Sequence, residues 1–256
     1  MIKEKDDTRR AILAAAKTEF AEKGFSGARM SCIAEKASAN QALIHYYFGS
    51  KENLYNEVLS SLFGPEKFCQ DKDASAPQWD LSLPQKLYCI IYFMTKIQLR
   101  TYDPEAHRIF HWELAEGQKF LRPFVEKVIE PRMSALIKII DQGIKNGDFS
   151  SPNPFLAIST LFVLSNALQK NQKMFIGTRL EPYLPDSYDD GVLVDHMLST
   201  VFKMLAPEGK PFVIPTVPAE VTAFLDEIIE QIAQDKESEF DCKILSRFLS
   251  LLQLQF

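Results

Sequence analysis

No stretch of this chain alternates apolar and polar side chains for long, while apolar residues return every three to four positions almost from end to end. A half-buried strand needs the first pattern and an amphipathic helix the second, so the fold is predicted to be all-α. About eleven helices are expected. The first covers about 8–23: Asp7 or Thr8 can cap it, Ile12, Leu13, Ala16 and Phe20 form its apolar stripe, and Gly24 stops it. Two short helices at about 30–37 and 41–47 precede a fourth at about 50–63, which Ser50 caps and Gly64-Pro65 ends. After a loop over about 66–82 come helices at about 83–100 and 104–115, each opened by a proline, Pro84 and Pro104. A longer helix over about 118–146 contains Pro123 and Pro131, which should kink it. Helices at about 153–174 and 190–205 are strongly apolar.

The character of the chain changes after Leu205. Pro207, Pro211, Pro215 and Pro218 fall close together and favour an extended connection. Beyond them Val221, Phe224, Leu225, Ile228, Ile229 and Ile232 mark one amphipathic helix at about 219–234, and Phe240, Ile244, Leu245, Phe248, Leu251 and Leu252 a second at about 239–254. That much apolar surface must pack on something.

The two shortest helices say most about function. A helix of about two turns is marginal alone in water, so tertiary contacts must hold it, and Ile33, Ala37, Ile44 and Phe48 can supply them. With those positions turned inward, Asn40, Gln41, Ala42, Leu43, His45 and Tyr46 face out. Amide, imidazole, phenol and small apolar groups together suit base edges and phosphates. Two short helices around a tight turn, with a third starting at Ser50, have the layout of a helix-turn-helix. A plain helical hairpin with a polar surface leaves Tyr46-Tyr47-Phe48, directly before Gly49-Ser50-Lys51, without a reason.

Net charge is −5, which argues against a protein that coats nucleic acid by charge alone. The first fifty residues nevertheless carry eight Lys/Arg against six Asp/Glu, a modest basic head on an acidic body. With 256 residues, 46% of them hydrophobic, the chain can bury a substantial core in one or two domains. Its first residues contain no apolar signal region, and the weakly polar stretch Phe155 to Leu168 is interrupted by Ser159, Thr160, Ser165 and Asn166 and is too short for a bilayer. Cys32, Cys69, Cys89 and Cys242 are scattered without paired spacing. These features predict a cytoplasmic protein with reduced thiols, no metal site and no membrane partner. No Gly-x-Ser-x-Gly, Gly-x-Gly-x-x-Gly or phosphate-loop sequence occurs, so neither an enzyme nor a cofactor is expected.

Ile33-Ala34-x-x-Ala37, the aromatic cluster, and Phe48-Gly49-Ser50-Lys51-Glu52-x-Leu54 together resemble the DNA-binding domain of the TetR (tetracycline repressor) family of bacterial transcription regulators, from about residue 8 to 62. The resemblance implies that Ile44 and Phe48 are core, that Gln41, Ala42, Leu43 and His45 lie in the major groove, and that Arg29, Ser31, Tyr46, Tyr47 and Lys51 meet phosphates; Asn40, on the outward face, is expected to bind DNA with them. Where the family usually has Ala-Gly-Val-Ser in the turn, this chain has Ala37-Ser38-Ala39-Asn40. Ser38 would be mildly strained if that place needs a positive φ. The segment Pro131 to Phe149 also resembles the family's ligand-binding domain, and the helices at about 153–174 and 190–205 resemble the pair that forms its dimer interface. Dimerisation has a physical reason too, since one two-turn reader buries too little for specificity.

These expectations give a helix-turn-helix domain over residues 1–62, a helical ligand-binding and dimerisation domain over 63–206, and a proline-rich linker with a two-helix extension over 207–256. The function expected is a repressor that binds a near-palindromic operator in double-stranded DNA as a homodimer and is released by a small apolar or aromatic effector. His107 and His111 have the spacing for a metal but lack a third ligand nearby, so hydrogen bonding to the effector is the better use. Aromatic and methionine residues such as Tyr88, Tyr92, Met94 and Phe162 are most often plain core. The pocket is expected among Phe93, Ile97, His107, Phe110, His111 and Trp112. The alternatives are a helical small-molecule-binding protein or enzyme with a degenerate helix-turn-helix, and a DNA-binding protein without an effector.

Overall fold

The computed structural model describes residues 2–63, 77–101, 103–151, 153–160, 163, 174–183, 190–234, 247–248 and 251–252. Every regular element among them is helical. In order these are α1 (Ile2–Gly27), α2 (Met30–Lys36), α3 (Gln41–Phe48), α4 (Lys51–Phe63), α5 (Leu83–Arg100), α6 (Pro104–Ala115), α7 (Leu121–Phe124), a π turn (Val125–Ile129) and α8 (Glu130–Asn146). Residues 154–160, here α9, are helical as well. A 3₁₀ turn (Glu181–Tyr183), α10 (Asp190–Met204) and α11 (Ala219–Gln234) follow. The expected Gly64-Pro65 stop, Cys69, Cys242, most of the predicted dimer helix after residue 160 and most of the last predicted helix lie outside the described residues.

Two compact units divide the chain, and they do not follow its order: residues 1–68 join 102–129, and 69–101 join 130–256. In the first unit α1 packs on α2, α4 and α6. α1 begins earlier than its apolar stripe suggested, at Ile2, because charged residues suit a solvated first turn as well as a loop. Gly24 breaks it as expected, with φ 67 and ψ 176. Only glycine fits there for a second reason: a Cβ would lie 2.9 Å from the Trp112 ring of α6. The core gathers Ile12, Ala16, Phe20, Ile33, Ile44, Leu54, Tyr55, Val58 and Ile109, with Phe25 and Phe120 packed against it. Phe20 and Tyr55 meet edge-on at 4.7 Å.

At its centre sits a carboxylate that the apolar pattern gave no reason to bury. Glu113 of α6 accepts hydrogen bonds from the Tyr55 hydroxyl at 2.8 Å and from the amides of Phe120 and Leu121 at 3.1 and 3.2 Å. Those amides belong to the entry of α7, where no earlier helical carbonyl can accept them. Glu113 thus closes the α6–α7 corner onto α4. Burial and then the Glu113 hydrogen bond push the Tyr55 phenol well above its ordinary range.

Pro131 has no N–H to give to the carbonyl of Lys127, and the chain enters α8 through the π turn rather than through a simple bend. In the second unit α5 packs on α8, α10 and α11. Ser82 and Gln85 cap α5 reciprocally, and Pro84 occupies its first turn. Gly147, with φ 79, ends α8, and the Asp148 and Phe149 amides donate back to the Gly143 carbonyl at 2.8 and 3.2 Å. The extended proline-rich segment delivers α11, whose stripe of Val221, Phe224, Leu225, Ile228, Ile229 and Ile232 is buried in full. Burial of this kind contributes about 1.5–3 kcal/mol per side chain. A polar seam flanks it: Lys96 and Tyr92 of α5 both bond Asp226 of α11, at 2.7 and 2.9 Å, and Arg100 pairs with Glu230. Beyond α11, Phe248 stacks on Phe93 at 3.9 Å, and Leu251 and Leu252 are buried. The described part of the tail therefore packs on the body of its own chain.

Candidate nucleic-acid interface

α2 and α3 are held from behind. Ile33, Ala34, Ile44 and Phe48 are buried, while Ala37 is half-buried in the turn between them. Ser38 adopts φ 50, the left-handed conformation that glycine would take without strain, and its amide donates to the Glu35 carbonyl at 3.0 Å. Asn40 caps α3 by accepting the Ala42 amide at 2.5 Å, which leaves its side-chain NH2 directed away from the cap. Ser50 caps α4 in the same way, accepting from Asn53 at 3.1 Å.

This scaffold turns Asn40, Gln41, Ala42, Leu43, His45 and Tyr46 outward, all of them exposed, as their spacing predicts. Tyr46 is 71% exposed, a large aromatic surface to leave wet on a helix whose other face is fully buried. Tyr47 lies half-buried between Tyr46 and Phe48. Gly49 ends α3 with φ 76; its amide donates to the His45 carbonyl at 2.9 Å, and its own carbonyl lies 2.8 Å from His45 Nδ1.

Charge is sorted around this face. Arg9 pairs with Glu57 at 2.6 Å, Lys17 with Asp103 at 2.5 Å, and Lys36 with Glu19 and Glu22 at 2.9 Å each. Hydrogen bonds to Glu19 and Glu22 raise the Lys36 ammonium above its ordinary value. Burial pushes the Asp103 carboxyl up, but Lys17 and the Ala106 and Glu105 amides pull it down further, so the net shift is downward. Those basic residues brace the unit at its surface. Arg29 and Ser31, at the start of α2, are exposed, and the Lys51 ammonium lies 4.8 Å over the Phe25 ring; neither Arg29 nor Lys51 forms an ion pair among the described residues. Cations left unneutralised beside helix N-termini are suited to phosphate.

The six residues expected around a ligand come from both units. Phe93 and Ile97 belong to α5 in the second unit, whereas His107, Phe110, His111 and Trp112 belong to α6 in the first. Phe248 covers the face of Phe93, and Trp112 packs on Gly24 while its indole N–H donates to the Ala21 carbonyl at 3.3 Å. His107 and His111 meet edge-on at 4.1 Å, with no third metal-binding side chain grouped with them among the described residues. A cavity of about 520 Å3 lies elsewhere in the second unit, under the proline-rich segment, bounded by Gln85, Asp148, Phe149, Phe202, Lys210 and Phe212. The Thr95 hydroxyl of α5 is buried with no hydrogen-bond partner among the described residues. Neither could be read from spacing along the chain, because each depends on segments far apart in sequence.

A two-turn reader set by a buried neighbour, capped at both ends and polar outward, defines a helix-turn-helix DNA-binding protein. The sequence profile of the bacterial regulatory proteins of the tetR family matches residues 12–58, the segment that holds the reader. It is 45% identical over 58 residues to the transcriptional repressor NicS of Pseudomonas putida, a match covering 23% of this chain and 27% of NicS. With the transcriptional regulator RutR of Escherichia coli it shares 27% identity over 150 residues, 57% of this chain and 66% of RutR. The match thus spans about a quarter of NicS and about two thirds of RutR. Among solved structures, the hemolysin II regulator HlyIIR aligns with TM-score 0.51 and 24% identity over 77% of this chain and 97% of its own. The FadR regulator of Bacillus subtilis, solved with stearoyl-CoA, aligns with TM-score 0.52 and 18% identity over 77% and 98%. These likenesses extend the shared helical fold beyond the reader.

Proposed function

We propose that the chain is a cytoplasmic transcriptional repressor that binds a near-palindromic operator as a homodimer and is released by a small apolar or aromatic effector. The observation that carries this reading is the outward face of α3, five exposed residues beside the exposed N-cap Asn40 on a helix whose opposite face, Ile44 and Phe48, is buried. Gln41, Ala42, Leu43 and His45 read bases, and Arg29, Ser31, Asn40, Tyr46, Tyr47 and Lys51 position the phosphate backbone. Support for a dimer comes from Phe155, Leu156, Val163 and Val192, large apolar side chains that are more than half exposed on the helices expected to pair. The expected effector contacts are Phe93 and Ile97 on α5 and His107, Phe110, His111 and Trp112 on α6, to be tested one by one. The described helices include none long and apolar enough to cross a membrane.

The test is a gel shift with the full chain on the DNA upstream of its own coding sequence. A sharp complex that survives a large excess of unrelated duplex supports the reading, and binding that competitor removes at once contradicts it.

A further inference from the structure

On the reading face the fold constrains the chemistry of His45 at a single atom. The Gly49 carbonyl oxygen, 2.8 Å from Nδ1, can only accept a hydrogen bond. Nδ1 must therefore carry the proton in the neutral ring, and the other nitrogen, Nε2, presents a lone pair and no hydrogen. The contact is built by the local chain: Gly49 takes φ 76 at the end of α3, donates its amide to the His45 carbonyl, and accepts the His45 ring on its own carbonyl. His45 lies one helical turn from Gln41 on the same exposed face.

We infer that His45 is a specificity residue whose Nε2 accepts a hydrogen bond from an exocyclic amino group in the major groove, N4–H of cytosine or N6–H of adenine, and so disfavours guanine and thymine at one position in each half-site. The inference rests on the proposed DNA-reading function and adds the class of base edge. In the major groove cytosine and adenine offer amino donors, while guanine offers O6 and N7 and thymine O4, all acceptors. An acceptor held against an acceptor is repelled, and a neutral Nε2 has no proton for a phosphate oxygen either. The Gly49 contact thus separates His45 from Arg29 and Lys51, which can only donate.

The test uses the full chain at pH 8 on its operator, with all single base-pair replacements of one half-site, for the wild type and His45→Ala, His45→Arg and His45→Glu. The wild type is expected to prefer cytosine or adenine at one position by about three- to ten-fold, the range of one hydrogen bond. His45→Ala should flatten that position and leave the others in order. His45→Arg, a pure donor, should turn the preference there to guanine. His45→Glu, a pure acceptor, should keep cytosine or adenine ahead while losing affinity for every sequence through repulsion by phosphate. Replacing the preferred base by its analogue without the exocyclic amino group, purine for adenine or 2-pyrimidinone for cytosine, should cost the wild type about the same factor; an analogue bound as well as the natural base overturns the inference, and so does a His45→Ala profile that matches the wild type throughout. If the wild type binds no sequence specifically, the DNA-reading function itself fails, a result distinct from either of these.

Discussion

The reading helix and α5 pose opposite problems. α3 is eight residues long, buries two of them, half-buries Tyr47 and presents the other five to solvent. α5 is eighteen residues long and is packed by α8, α10 and α11. On α3 each side chain's task follows from its place on one short helix, since what is not core is free to meet DNA. On α5 most faces are covered, and which are covered is decided by helices more than a hundred residues away, such as α11. Local spacing therefore exposes a surface that acts by itself, and it does not expose a pocket assembled from distant segments.

The sharpest way to break this comparison is to uncover α5. A chain ending before Pro207 loses the α11 stripe and Phe248, and it is expected to aggregate on expression, whereas residues 2–63 and 103–129 keep their own core. A truncated form that stays soluble and melts like the full chain, by light scattering and thermal unfolding, would show that the extension is dispensable. Next in size, Glu113→Ala strands the Tyr55 hydroxyl and two amides, and should cost about 3–5 kcal/mol in denaturant unfolding. Glu113→Gln, which keeps an acceptor, should cost less. If both are neutral, the first unit does not depend on that corner.

Within the reader, two substitutions should part company. Gln41→Ala is expected to cost about 1–3 kcal/mol and to relax preference at one base position, while Lys51→Ala weakens all sequences alike and lowers the salt slope by about one. Equal loss of specificity in both would merge the two roles. Smaller still, Ser38→Gly relieves the left-handed backbone at φ 50 and should stabilise the chain by about 1 kcal/mol, read as a rise in the unfolding midpoint.

A pH effect should appear at the Lys17–Asp103 pair. The folded pKa of Asp103 lies below its unfolded value, so its contribution is present above the unfolded value and is lost as pH falls through the folded one. Stability should thus decline below about pH 4, and Asp103→Asn should flatten that part of the profile.

Much of this was legible in the chain. α5, α6, α11 and the reader fall where their apolar stripes and caps predict, and Ser38 takes the positive φ that its place in the turn suggested. What escaped was tertiary. Glu113 looks like one more acid on an amphipathic helix until Tyr55 and the Phe120 and Leu121 amides converge on it. Nor does spacing show that Gly24 lies against Trp112 or Phe248 against Phe93. An aromatic side chain carries no mark that tells a cavity wall from a packed neighbour.

The central claim is that the outward face of α3 reads operator sequence. It is tested most directly by selecting binding sites from a random duplex pool with the full chain and with Gln41→Ala/Leu43→Ala/His45→Ala, whose changes touch no buried residue. The wild type should recover a near-palindrome with half-sites about one helical turn apart, and the triple variant, with unchanged helical content and melting temperature, should recover none. The same sequence from both proteins would contradict the account.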